Sequence, residues 1–202
     1  GHTRQFEISQ YLVKKGWKVN LFASDFNLSE RKFKKLKRFK FSLKENIDGI
    51  NWNWIRVIPY FKNDLLRYIN IISFCIHLFF KLFYEILYYS FFENSKKIVI
   101  ASSPQLPAAF ITILITQLFR IPFILEVRDL WPQVLIDQGG KSKKSFLIRV
   151  LIFFEKYLYK NSNCVVVLSE GSVNYVKQRG ANKVCWLPNG PDLSLFKPSK
   201  LN

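Results

Sequence analysis

Histidine is nearly absent from this 202-residue chain, with only His2 and His77, and neither HExxH nor CxxC occurs. A structural zinc site or a zinc hydrolase therefore lacks its usual ligands. Neither histidine lies near a nucleophile-elbow pattern, so a serine hydrolase relay is also without support. Cysteine is scarce and odd in number: Cys75, Cys164 and Cys185 are scattered through apolar surroundings. That pattern fits buried thiols in a reducing, intracellular compartment better than a disulfide framework. No GxGxxG follows any apolar run, which excludes the dinucleotide fingerprint and disfavours an epimerase on a dinucleotide-binding scaffold. No apolar leader opens the chain, since "GHTRQFEISQYLVKKG" is polar and helix-patterned. Internal repeats and low-complexity linkers are lacking too.

Acidic residues are the other scarcity, with 14 Asp and Glu against 31 Lys and Arg, a net charge of +17. A surface of that sign attracts phosphates, anionic lipid or nucleic acid. The densest cation run is "RKFKKLKRFKFSLK" at 31 to 44, eight Lys or Arg and no acid. Phe33, Leu36 and Phe39 recur between its charges, as in a segment lying on anionic lipid, and Lys34, Lys35, Lys37 and Arg38 are its candidate membrane-surface residues. A solvated lysine-rich loop is the plain alternative. Nucleic acid is not expected, because no aromatic RNA-binding motif accompanies the charges.

What is abundant is apolar: 49% of residues, enough for a sizeable packed core. A first helix ends at Gly16, followed by strands at 17 to 23 and 50 to 58 and a helix over 65 to 92. Then come a strand at 96 to 102, a helix at 107 to 119, and a strand at 122 to 127. A helix near 143 to 160, a strand at 163 to 169, a helix near 170 to 179 and a strand at 183 to 188 complete the pattern. Apolar strands alternating with helices predict an α/β fold, a parallel sheet covered on both faces. The helix over 65 to 92 carries Arg67, Asn70, Ser73, His77, Lys81 and Glu85 as one polar stripe. That stripe argues against a membrane span and predicts a mostly buried core helix with one wet edge, with a membrane-facing role as the alternative.

In parallel sheets ligands bind beyond the carboxyl ends of the strands. Candidates there are Ser102 and Ser103, Glu126, Arg128 and Asp129, Ser169 and Glu170, and Asn189 and Gly190. For Ser103 and for Ser169 with Glu170, capping the following helix is the simpler role. In "FILEVRDLWPQ" the charges, with Trp131 beside them, favour a site for a polar ligand such as a sugar. Strand alternation sends Glu126 and Arg128 to one face and Val127 and Asp129 to the other.

The runs "TRQFEISQYLVKKGWKVNLFAS", "IASSPQLPAA", "FILEVRDLWPQVLIDQGG", "FEKYLYKNSNCVVVLSEG" and "LPNGPDLSLF" together resemble the amino-terminal domain of bacterial retaining glycosyltransferases of family four. The nearest type is the one that builds surface polysaccharides, including fucosaminyltransferase-like members. The resemblance implies the N-terminal Rossmann-like half of a GT-B enzyme over 1 to 190, with 191 to 202 starting the interdomain linker. It implies transfer of a sugar, with retention, from a nucleotide-sugar donor to a lipid-linked or polysaccharide acceptor, with no metal or other cofactor. It places Arg128, Asp129, Ser103 and Glu126 on the acceptor side, and Gly1, Thr3 and Arg4 at the end of a donor-phosphate loop. Asn189, Gly190 and Asp192 fall at the domain junction, where Pro191 replaces an aliphatic residue.

By the same resemblance a first strand precedes Gly1 and a nucleotide-binding domain follows residue 202. The chain is then a fragment, inactive alone, with a gap between the strands at 17 to 23 and 96 to 102 or a direct pairing of the two. The expected setting is cytoplasmic and peripheral to the inner face of the plasma membrane. A non-catalytic basic module binding anionic membrane or polymer is the alternative.

Overall fold

The computed structural model describes residues 4–27, 30–37, 39–61, 65–93, 95–103, 105–138 and 142–190. Helix α1, Arg4–Lys14, ends as expected at Gly16, whose φ of 85° is the left-handed stop a glycine supplies. Strand β1, Val19–Ser24, leads to a two-residue ribbon of β2, Phe26–Asn27, and β3, Lys32–Phe33. Then β4, Ser42–Ile47, turns back along β5, Ile50–Ile55, and β5 pairs parallel with β1, giving a sheet of order β1-β5-β4.

The β4–β5 turn is Asp48–Gly49, with φ of 52° and 80°, the two left-handed residues a tight hairpin needs. A Cβ on Gly49 would sit 2.9 Å from Val13 Cγ1 of the α1 helix. Gly49→Ala is therefore expected to cost more than about 1 kcal/mol, read as a lowered urea midpoint at unchanged slope.

Helix α2, Leu65–Phe92, crosses to the second sheet. This sheet is wholly parallel, in the order β6-β7-β8-β9: Val99–Ser102, Phe123–Val127, Cys164–Val167 and Val184–Trp186. Its crossovers are α3, Leu106–Leu118, then the short α4, Gln133–Asp137, with α5, Phe146–Asn161, and finally α6, Ser172–Gln178.

Alternation along β7 divides its two sides. Phe123, Leu125 and Val127 join Ile113 of α3, Leu158 of α5 and Val176 of α6 in one core, every one of them at most 3% exposed. Glu126 faces α1 on the other side. A second core joins Ile55 and Phe22 to Cys75, Leu78 and Leu82 of α2 and to Ala108 and Ile115 of α3. Helices thus cover both faces, as the alternating pattern predicts. The β1 and β6 edges do not pair, so the direct pairing that is one expectation from the family resemblance is not made.

The structure corrects the reading of α2. Its polar stripe turns inward: Ser73 Oγ accepts from Ile58 N at 2.9 Å, Asn70 Nδ2 donates to Ile58 O at 2.6 Å, and His77 Nδ1 meets Arg56 O at 2.6 Å. Glu85, 6% exposed, pairs with Lys81 at 3.0 Å and Lys44 at 3.5 Å. The chain leaving β5 has backbone groups that need partners, and the stripe supplies them. The wet side is instead apolar and aromatic. Of the three thiols expected to be buried only Cys75 is, and burial pushes it up to about 11; Cys185 is exposed, with its sulfur 3.5 Å from that of the half-buried Cys164.

Candidate functional site

The carboxyl edge of the sheets is organised around Arg4, the first residue of α1. Its Nε donates to Glu126 Oε1 at 2.5 Å. Nη1 reaches Pro188 O at 3.2 Å and Asn189 Oδ1 at 3.0 Å, and Nη2 reaches Leu187 O at 3.1 Å. One guanidinium therefore ties the start of α1 to the end of β7 and to the segment after β9. Its planar fork of donors suits three carbonyl-type oxygens and a carboxylate at once.

Gln5 completes the arrangement. Its Nε2 donates to Glu126 Oε2 at 3.0 Å and to Ser102 Oγ at 3.3 Å, while its Oε1 accepts from Arg128 Nη1 at 3.4 Å. Glu126 and Arg128 thus share the α1 side, and Val127 enters the opposite core, as alternation requires. Arg4, rather than Arg128, neutralises Glu126. At the end of β7 the Asp129 carboxylate is exposed.

Ser103 lies beneath this surface, 1% exposed, and does not cap α3, whose first turn has Gln105 at the cap and no side-chain bond to it. Its hydroxyl accepts from Arg128 N at 3.1 Å and donates to Asp129 O at 3.4 Å, and its own N–H donates to Glu126 O at 2.8 Å. The residue holds the Arg128–Asp129 turn in place because the β7 backbone, on leaving the ladder, needs an acceptor there. Trp131 packs partly against the core beneath α3 and α5, and its indole N–H has no partner among the described residues. Ser169 and Glu170 are exposed, and α6 has no side-chain cap, so the capping role expected for them is not made.

Asn189 and Gly190 are exposed at this edge, with Asn189 held by Arg4. Gly1, Thr3, Asp192 and Arg38 lie outside the described residues. Lys34, Lys35 and Lys37 are exposed, but two of them are locally paired, Lys34 with Glu30 at 2.7 Å and Lys35 with Glu45 at 3.0 Å. Hydrogen bonds from Lys34 and then Lys32 hold the Glu30 carboxyl below its ordinary range, and that from Lys35 does the same to Glu45.

Two residues that sequence reasoning missed shape the basic segment. Asp25, 4% exposed, accepts from Lys35 N at 2.9 Å and Leu36 N at 2.6 Å. Arg56, just past β5, donates to Lys37 O at 2.5 Å and Lys40 O at 2.6 Å, with its guanidinium 4.7 Å from the Phe33 ring centre. An acid flanking a strand end and an arginine just past another were the available signals. Their partners lie 10 to 20 residues away, beyond any local pattern.

A separate buried cluster sits between α5 and α6. Glu155, 0% exposed, accepts from Arg179 Nη1 at 2.6 Å and from Tyr175 Oη at 3.0 Å. Burial raises its pKa above the ordinary value, against the Arg179 charge and the hydrogen bonds, and burial likewise raises Tyr159. The shallow cavity beside it, about 670 Å³, is lined by Pro132, Gln133, Lys143, Lys156 and Arg179, on a helical flank of the sheet.

Comparison with known proteins bears on this arrangement. No curated protein sequence matches the chain. A solved structure of sucrose-phosphate synthase from Thermosynechococcus elongatus superposes with a TM-score of 0.64 at 16% identity, over 98% of this chain and 45% of that one. The chain thus spans less than half of that protein, and at this identity the likeness is one of fold, consistent with the N-terminal half of a GT-B enzyme. The glycosyl transferase 4-like domain matches residues 2–190, from before α1 to beyond β9. A match over that extent means that the chain belongs to the glycosyl transferase 4-like family.

Proposed function

We propose that this domain is the acceptor-side half of a retaining glycosyltransferase. It receives a lipid-linked or polysaccharide acceptor at the carboxyl edge of β7, while a nucleotide-sugar donor is held by a second domain. The observation that carries the reading is the division of labour at that edge. Arg4 and Gln5 satisfy the Glu126 carboxylate, Ser103 fixes the turn, and Arg128 and Asp129 are presented at the rim. An exposed carboxylate at that rim suits an acceptor hydroxyl. Arg4 belongs in this scheme to the framework between donor loop and junction, because its donors are turned to protein oxygens.

The resemblance supplies the finer reading: a surface-polysaccharide enzyme of the fucosaminyltransferase-like type, needing no metal, and inactive when the nucleotide-binding half is removed. The protein works in the cytoplasm, peripheral to an anionic membrane, and the basic segment at 31 to 44 makes part of that contact.

Asp129→Ala in the full-length enzyme is expected to lower kcat/KM for sugar transfer by about a hundredfold or more. The thermal midpoint should stay within a degree or two of wild type, since the side chain is exposed. Transfer rates that match wild type on every acceptor tried would remove Asp129 from the site. The anomeric configuration of the product, read by NMR, tests retention independently.

A further inference from the structure

We infer that the uncovered face of α2 is the element that seats this protein on an anionic lipid bilayer, the helix lying flat in the interface. The inference rests on the peripheral-membrane reading above and moves its main contact from the 31 to 44 segment to α2.

Leu65, Ile72, Ile76, Phe80, Tyr84 and Phe91 recur at four- or seven-residue spacing and are all at least half exposed, Phe80 at 66% and Phe91 at 77%. At 1.5 Å per residue this stripe runs along a helix of roughly 40 Å. Soluble surfaces rarely leave so long a continuous apolar strip in water. The helix is long and apolar enough to cross a membrane, with a mean hydropathy of 1.6. Crossing would, however, strip α2 from β5 and α3 and carry the Glu85–Lys81–Lys44 cluster into hydrocarbon. Lying flat keeps both inward faces of α2 packed and buries only the outer one.

Charge selects lipid as the occupant. The single acid of α2, Glu85, is buried and paired, so the outer face presents no carboxylate. One long border of the stripe is basic and aromatic. Phe41, 69% exposed, sits edge-on to His77 at 5.9 Å between ring centres, joining the cation-rich segment to the helix. Between them lies a groove of about 270 Å³ lined by Phe41, His77, Phe80, Lys81 and Tyr84. Aromatic rings with polar tips, with Lys81 and Lys44 at the rim and their one acid, Glu85, buried beneath them, match the interface of an anionic leaflet. Another copy of this chain, itself at +17, would be repelled.

The first half of α2 is bonded to Arg56 and Ile58, just beyond the carboxyl end of β5, so lying flat leaves these backbone bonds in place.

The test is flotation of the full-length protein with phosphatidylcholine vesicles, with and without phosphatidylglycerol, in the absence of any sugar substrate. Two variants accompany it: Ile76→Glu with Phe80→Glu and Tyr84→Glu, and Lys32→Gln with Lys34→Gln and Lys37→Gln. Circular dichroism checks that each is folded, as the substituted side chains are exposed. The expected result is recovery of wild type with anionic vesicles and at least a tenfold loss in the α2 variant. The lysine variant should keep apolar attachment and lose part of its dependence on phosphatidylglycerol. Equal flotation of wild type and the α2 variant overturns the inference. So does loss confined to the lysine variant, which returns the contact to the 31 to 44 segment. A wild type that ignores vesicles but sediments as a dimer, dissociated by the α2 substitutions, overturns it in favour of a second copy. None of these outcomes bears on sugar transfer to a soluble acceptor, so failure here is distinguishable from failure of the transferase reading.

Discussion

Arg4→Ala is expected to destabilise the domain by about 3 kcal/mol and to release the segment that follows β9. The side chains of Arg4 and Glu126 are 13% and 7% exposed, so their pair at 2.5 Å is largely out of water. Deleting one partner of such a pair strands the other charge, which typically costs about 3–5 kcal/mol. The lower end applies because Gln5 still donates to Glu126 at 3.0 Å. Three further bonds, to Leu187 O, Pro188 O and Asn189 Oδ1, disappear with the same guanidinium. Urea unfolding of the four members of the Arg4→Ala and Glu126→Gln cycle checks the argument. The double variant should be more stable than Arg4→Ala alone, because the stranded carboxylate is gone. Additive losses would mean that the two side chains stabilise the fold independently. Faster hydrogen exchange at 187 to 189 in Arg4→Ala, without a matching change in β8, would report the freed segment.

Much of this scaffold is visible in the sequence for a physical reason. Strands such as "FILEV" and "CVVV" are covered on both sides, so they must be apolar at nearly every position, and the helices between them carry their own period. Gly16 and the α2 boundaries are similarly local facts. Strand β4, "SLKENI", escaped because it is an edge strand whose residues alternate between exposed and half-buried, and its Lys44, Glu45 and Asn46 read as loop. The ribbon of β2 and β3 and the five-residue α4 are too short to show a period.

The α2 face was misjudged for a different reason. Periodicity shows that a helix has a polar side, and only the neighbours decide whether that side meets water or the unsatisfied backbone of Arg56 and Ile58. The site divides in the same way. That Glu126, Arg128 and Asp129 stand at a strand end follows from the order of elements. Which cation neutralises Glu126 depended on Arg4, 122 residues earlier in the chain, and no local pattern encodes that contact.

The second large effect is expected at Arg179. Its guanidinium is 2.6 Å from Glu155, a carboxylate with 0% exposure, and its own side chain is 27% exposed. Arg179→Met keeps much of the stem and removes the charge, so the loss at neutral pH should be about 3 kcal/mol. The pH dependence identifies the cause. Burial already raises the Glu155 pKa in the folded protein, and Arg179 is the largest influence opposing that rise. Without Arg179 the folded pKa climbs further above the unfolded value. The folded state then binds the proton more tightly than the unfolded chain. Stability of the variant should therefore be greatest at the acid end, near the ordinary carboxylate pKa. It should fall as pH rises through the elevated folded value and level off above it. Wild type should show the same sign with a smaller amplitude from this group, because Arg179 offsets part of the burial. Adding Glu155→Gln to Arg179→Met should abolish the extra slope, since an amide neither ionises nor needs a counter-charge. Urea midpoints of the three proteins, taken from acid to neutral pH, measure it. A loss in Arg179→Met that is the same at every pH would show that the arginine acts through packing over the Tyr175 ring, 4.3 Å away, and not through the Glu155 charge.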